Sequence, residues 1–77
     1  MTLKIISAED ILFEGEVTSV TLPGAMGSFT VLRNHASLIS TLVAGNIRYV
    51  EDQHEETLAI NGGLVDVDNN VVSVCIY

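Results

Sequence analysis

The sequence predicts an all-β fold, a sandwich or barrel of short strands forming one domain over residues 1–77. Three observations lead there. Apolar residues recur at every second position in several short runs, the spacing that puts them on one face of a pleated strand. Turn-forming residues break these runs at close intervals, as at Pro23-Gly24, Gly45-Asn46, Gly62-Gly63 and Asn69-Asn70. No window sustains the 3.6-residue apolar spacing of an amphipathic helix.

Each element follows from its residues. Leu3-Lys4-Ile5-Ile6-Ser7 is β-rich and forms a first strand buried on at least one face, ending in a turn at Ala8-Glu9-Asp10. Ile11 to Leu22 reads as one long β stretch. Phe13, Gly15 and Val17 share one face at first; after Thr18-Ser19 the phase shifts and Val20 and Leu22 take the apolar role. Such a shift predicts a β-bulge or a crossing between sheets, with Gly15 as the other place for a break. Pro23 to Gly27 is a loop, with Pro-Gly suited to a type II turn in which Gly24 supplies positive φ. Phe29 and Val31 then share one face of a short strand, Arg33-Asn34-His35 makes a polar island, and strand character resumes at Leu38-Ile39 and runs to Val43.

Ala44-Gly45-Asn46 reads as a turn and Ile47 to Val50 as a strand. Glu51 to Glu56 reads as a polar connection, and Thr57 to Ile60 as a strand that ends at Asn61-Gly62-Gly63. Leu64–Val67 and Val71–Val74 form a hairpin across Asp68-Asn69-Asn70, residues that tolerate the left-handed conformations such turns need. The expected core comprises Val17, Val20, Leu22, Phe29, Val31, Ile60, Val67 and Val74.

Composition narrows the function. Of the 77 residues, 48% are hydrophobic. A domain this small buries only about 60% of the surface its unfolded chain exposes, so some apolar surface is left over for a partner. The net charge is −7, with Lys4, Arg33 and Arg48 the only strong cations. That balance opposes nucleic acid and anionic lipid, which both require cationic surface. Cys75 stands alone and cannot form an internal disulfide, which suits a reducing compartment. The N-terminus opens directly into strand sequence rather than a signal peptide, and no apolar run approaches the roughly 20 residues of a membrane-spanning helix.

The residues point away from catalysis. His35 and His54 have no Cys or His at metal-ligand spacing. Glu51, Asp52, Glu55 and Glu56 lack the spaced ligands and turn glycine of a calcium loop, and read as a solvated tip. Cys75, between Val74 and Ile76, reads as buried and inert. No nucleophile-elbow pattern surrounds Ser28, Ser37 or Ser40, and Pro23–Gly27 lacks the Lys and following helix of a phosphate loop. The expectation is a small acidic β domain that binds a partner, with no catalytic residue, cofactor or metal.

A resemblance sharpens this reading. Val20-Thr21-Leu22-Pro23-Gly24, Gly27-Ser28-Phe29, Val31-Leu32, Asn34-His35-Ala36, Leu38-Ile39, Leu42, Gly45, Asn61-Gly62-Gly63 and Asn70-Val71-Val72 together resemble the epsilon subunit of the F-type rotary ATP synthase, in its N-terminal domain. The resemblance implies a flattened β-sandwich of two five-stranded antiparallel sheets. It implies a non-catalytic subunit of the central rotor stalk, packing on gamma and contacting the c-ring, and so coupling proton or sodium flow to ATP synthesis. It places the protein peripherally, on the cytoplasmic face of a bacterial inner membrane, within the synthase. Ser28, Arg33, Asn34 and His35 are the residues it assigns to the ring; the gamma-contact residues are not assigned. Two loop positions depart from the family, which often has proline at 33 and 37; Arg33 and Ser37 stand here, so a less rigid loop is expected. Most members continue into a C-terminal helical hairpin that carries inhibition and, in some, an ATP site. This chain stops at Tyr77, so neither ATP binding nor intrinsic inhibition is expected. The competing function is a free-standing β binding module that takes a ligand or peptide at a sheet edge.

Overall fold

The computed structural model describes residues 1–77 and is entirely β. Its strands are β1 (Thr2–Ile6), β2 (Ile11–Glu16), β3 (Ser19–Gly24), β4 (Gly27–Leu32), β5 (Leu38–Glu51), β6 (His54–Asp68) and β7 (Val71–Ile76). They form one continuous hydrogen-bonded sheet in the order β2-β1-β7-β6-β5-β3-β4. Only β1 and β7 pair in parallel.

Length forces this sheet to fold on itself. β5 and β6 have 14 and 15 residues. At about 3.3 Å per residue either would be over 40 Å long if straight. The molecule measures only 25 × 23 × 18 Å, so both strands must bend. In β5 the bend falls at Gly45, where the register against β3 jumps from Thr21↔Arg48 to Gly24↔Leu42. A Cβ on Gly45 would stand 2.9 Å from the Pro23 Cβ, so the absent side chain lets β3 and β5 approach there. β6 stays in register with β5 from Glu51↔His54 to Leu38↔Val67 and bends with it.

The result is a sandwich of two layers. One holds β2, β1, β7, the C-terminal half of β6 and the N-terminal half of β5; the other holds the remaining halves with β3 and β4. The all-β sandwich class stands, but the strand count differs from two sheets of five. There are seven strands, and counting the halves of β5 and β6 separately gives five segments in one layer and four in the other.

Several boundaries differ from the sequence reading, each for a physical reason. Ala44–Asn46 and Asn61–Gly63 are bends inside strands rather than turns between them. Ile11–Leu22 is two strands, divided at Val17-Thr18. There the Val17 N–H donates to the Met1 carbonyl at 2.9 Å, and the Thr18 N–H donates to the Val50 carbonyl at 2.9 Å. Successive residues thus bond to opposite layers, and the shift in apolar phase marks the crossing between them. The β3–β4 turn is Ala25-Met26, two residues beyond the expected Pro23-Gly24 turn, and the positive φ falls on Gly27. The Glu51–Glu56 connection shrinks to Asp52-Gln53, whose φ values of 49° and 69° fit a type I′ hairpin turn. Asn69 and Asn70, at 52° and 63°, make the expected β6–β7 turn in the same way.

Fifteen buried hydrophobic residues form one core between the layers. Val17, Val20, Leu22, Val31, Ile60, Val67 and Val74 lie in it as expected, while Phe29 is only half-buried against its edge. Cys75 is exposed, contrary to its expected burial. Its neighbours Val74 and Ile76 point inward, and the two-residue period of β7 turns Cys75 out. Half-burial lowers the expected cost of Phe29→Ala from the 3–5 kcal/mol of a core ring to about 2 kcal/mol. Urea unfolding of the variant checks this, and a loss within the core range would show a ring enclosed on all sides.

Candidate functional site

Two surface regions stand out, a polar loop at one end of the sandwich and an apolar face on one layer. The loop joins β4 to β5 and contains Arg33, Asn34 and His35. The His35 N–H donates to the Leu32 carbonyl at 3.1 Å and closes a tight turn. Asn34 sits in that turn with φ 64°, a conformation asparagine tolerates better than most residues. The His35 Nδ1 lies 2.7 Å from the Ala36 carbonyl. A carbonyl can only accept, so Nδ1 donates this bond and Nε2 is left free of any partner within the chain. Arg33 is exposed and makes no ion pair; the one ion pair of the chain joins the Met1 ammonium to Glu16 at 3.7 Å.

The loop is pinned from outside. The Asn34 N–H donates to Asn70 Oδ1 at 2.7 Å, and Asn70 Nδ2 donates to Asn34 Oδ1 at 3.1 Å. At the other end of the loop the Ser37 hydroxyl donates to Asp68 Oδ1 at 2.8 Å. Positions 33 and 37 hold no proline, yet hydrogen bonds to the β6–β7 turn replace φ restraint with cross-links.

Ser28 is not beside this loop. It pairs with Pro23 near the β3–β4 turn, five residues before Arg33 on extended backbone, which separates the two by about 17 Å. The expected set therefore divides between the two ends of β4. That strand pairs only with β3 and forms one edge of the sheet. Its ends are marked by the fully exposed Met26 side chain and by Arg33.

The apolar face is the outer surface of the β2-β1-β7-β6 layer. Register puts Ile6 beside Cys75 and Cys75 beside Leu64 in one cross-strand row. Leu64 is 50% exposed, and Val43 and Tyr77, also on this side, are 46% and 82% exposed. A shallow depression of about 190 Å³ opens here between Lys4, Ile6, Leu64 and Cys75. Toward the β6–β7 turn the same face becomes polar, with Asp66 and Asp68 outward. The outer face of the other layer is polar instead. It carries a row of Thr30, Thr21, Arg48 and Thr57, with the two threonine hydroxyls 2.9 Å apart.

Other candidate chemistry stays dispersed. The acidic residues around the β5–β6 turn flank Tyr49, which stacks on Phe13 with ring centroids 4.4 Å apart. Burial, then the charges of Glu56 and Glu51, raise the Tyr49 phenol above its ordinary value, so at neutral pH it is a hydrogen-bond donor. His54 opens β6 at the same turn, far in sequence from His35, and no three His, Cys, Asp or Glu side chains converge. The apolar face escaped sequence reasoning because both faces of several strands are apolar. Pairing register is what separates the outward set from the core.

Comparison with known proteins places these features. The family model for the ATP synthase delta/epsilon chain β-sandwich domain matches residues 1–76. An ATP synthase epsilon chain from Leptospira borgpetersenii is 36% identical over 74 residues, covering 96% of this chain and 58% of the relative. One from Chlorobaculum tepidum is 40% identical over 70 residues, covering 90% of this chain and 80% of the relative. This chain thus spans little more than half the length of several curated relatives it matches. Among solved structures, a chain of the Euglena gracilis mitochondrial ATP synthase (OSCP/F1/c-ring) superposes with a TM-score of 0.89 at 21% identity, over 96% of this chain and 48% of that one. A chain of the Tetrahymena thermophila mitochondrial ATP synthase central stalk and c-ring gives 0.80 at 13% identity, over 97% and 61%. At such identities the two structures speak to the fold.

Proposed function

The chain belongs to the delta/epsilon-chain β-sandwich family of ATP synthase, and from that premise we propose that it is a non-catalytic rotor subunit that packs on gamma and contacts the c-ring. In this role it transmits torque between ion flow and ATP synthesis, from the cytoplasmic face of a bacterial inner membrane. The observation that supports it best is the division of the surface. One face offers an apolar band centred on Leu64 and Cys75, the kind of surface that stable subunit packing buries. A separate edge offers exposed polar groups suited to the polar loops of a ring.

The gamma contact belongs to the apolar band. The ring contact belongs to the β4 edge, with Ser28 at one end and Arg33, Asn34 and His35 at the other. Both ends reach one partner only if β4 lies along it, because about 17 Å of strand separates them. Arg33 can pair with a carboxylate in forked geometry, and His35 Nε2 can accept a hydrogen bond. No bond is made or broken at either contact, so the subunit needs stiffness and complementarity rather than catalytic groups.

The ring contact is tested by an Arg33→Ala/His35→Ala double variant in reconstituted synthase. Asn34 is left intact because its positive φ would strain alanine. Stability should fall by no more than about 1 kcal/mol, since both sites lie at the surface. Attachment of the catalytic head to the membrane sector and ion-driven synthesis should both drop, while ATP hydrolysis by the released head persists. Ser28→Trp should weaken attachment as well. Normal coupled synthesis in the double variant would show that the ring is held elsewhere; an effect of Ser28→Trp alone would move the contact to the β3–β4 turn.

A further inference from the structure

We propose that Asn70 and Asp68, on the β6–β7 turn, are positioning residues that hold the Arg33–Ser37 loop in its partner-facing conformation. The part of this that concerns the partner rests on the ring contact above; the part that concerns the loop does not.

The argument begins with what each group has left to offer. The Asn34 N–H must meet an acceptor, so the Asn70 atom 2.7 Å away is its oxygen, and the Asn70 amide orientation follows. Asn70 Nδ2 then faces Asn34 Oδ1 at 3.1 Å. The two side chains thus lock across 36 positions of sequence. Asn70 is itself fixed: its φ is 63° in the hairpin turn, and its carbonyl accepts the Thr2 N–H at 2.9 Å. The loop is therefore tied to a point that β1, β6 and β7 all hold in place. The Ser37–Asp68 bond at 2.8 Å ties the last loop residue to the other side of the same turn. In the loop so tied, the side-chain groups without a hydrogen-bond partner are the Arg33 guanidinium, the Asn34 Nδ2 and the His35 Nε2. The clasp uses the Asn34 side-chain acceptor, so the loop's side chains meet a partner mainly as donors around one free imidazole nitrogen.

A loop without such ties loses conformational entropy when a partner orders it, and binding weakens accordingly. Asn70 thereby contributes to a contact it does not itself touch. Asn70→Gly is the informative change, since glycine keeps the positive φ of the turn and deletes only the amide. Asn70→Asp restores the acceptor for the Asn34 N–H without the Nδ2 donor.

The test is amide hydrogen exchange and backbone order parameters on the whole chain, followed by head attachment in reconstituted synthase. In Asn70→Gly the Asn34 amide should exchange about tenfold faster and residues 33–37 should lose order, while core amides such as Val65 and Val74 keep their protection. Asn70→Asp should recover most of the Asn34 protection. Unchanged Asn34 exchange in Asn70→Gly overturns the inference. Should Asn70→Gly loosen the core as well, Ser37→Ala takes its place, because it removes one surface bond; it must lower order at residues 36 and 37, and unchanged order there overturns the inference.

In the assembled enzyme, Asn70→Gly should weaken attachment about fivefold or more, with recovery in Asn70→Asp. Weakened attachment in Arg33→Ala/His35→Ala with normal attachment in Asn70→Gly overturns the positioning role and leaves the ring contact standing. Normal attachment in Arg33→Ala/His35→Ala overturns the ring contact, and the exchange data then decide the loop clasp alone.

Discussion

Gly63→Ala is expected to bring the chain to the edge of unfolding at room temperature. Gly63 lies in β6 opposite Ile76 of β7 and is buried. A Cβ there would overlap the Cys75 carbonyl oxygen and stand 3.1 Å from the Ile76 Cα, so it meets backbone rather than a side chain that could rotate away. β7 would have to retreat from β6, loosening the ladder at Gly63↔Ile76 and Leu64↔Cys75. Overpacking of this kind costs about 1–3 kcal/mol, and each weakened buried hydrogen bond adds about 1 kcal/mol. A domain of this size has about 5 kcal/mol in all, so the sum approaches its whole stability. Urea unfolding followed by circular dichroism should place the midpoint near zero denaturant. A loss under 1 kcal/mol, below the usual overpacking range, would mean that β6 and β7 separate easily.

The next residue should behave in the opposite way. Leu64 points to the outer face and is half-exposed, so Leu64→Glu should cost the isolated chain about 1 kcal/mol and leave it folded. Its effect should appear on assembly. A carboxylate in the middle of the apolar band would be desolvated against gamma, and Asp66, two residues along on the same face, adds like charge. Loss of a central contact costs about 2 kcal/mol or more, so affinity for gamma should fall about thirtyfold. Titration calorimetry with purified gamma, beside co-purification from cells, reads this directly. Wild-type affinity in a folded Leu64→Glu variant would remove the gamma contact from this face. Together the two substitutions separate a residue that holds the fold from a neighbour proposed to face gamma.

The same contrast shows how much was legible in advance. Two-residue alternation placed Val20, Leu22, Val67 and Val74 inward, where they lie, and Asn69-Asn70 marked its hairpin because few residues accept positive φ. The phase shift at Thr18-Ser19 left a β-bulge and a crossing between sheets both open, and the Val17 and Thr18 hydrogen bonds decide for the crossing. Cys75 was misread because an apolar neighbourhood in sequence was taken for burial, although the alternation of its own strand turned it outward. The acidic stretch after Val50 was misread as a loop because strand residues at an exposed edge need not be apolar. Ser28 was grouped with Arg33 although an extended strand keeps them apart.

Local pattern by itself therefore determined the β class, part of the inward set in β3, β4, β6 and β7, and the Asn69-Asn70 turn. These depend on φ preference and on side-chain period, which a residue and its near neighbours decide. Only the tertiary structure decided that β5 and β6 run through two layers, that Leu64 and Cys75 adjoin on an open face, and that Asn34 locks onto Asn70. Those facts depend on which strands pair and in what register, and contacts 36 residues apart leave no periodic trace in the chain. The register follows from burying one core inside a molecule 25 Å long, which requires both long strands to bend.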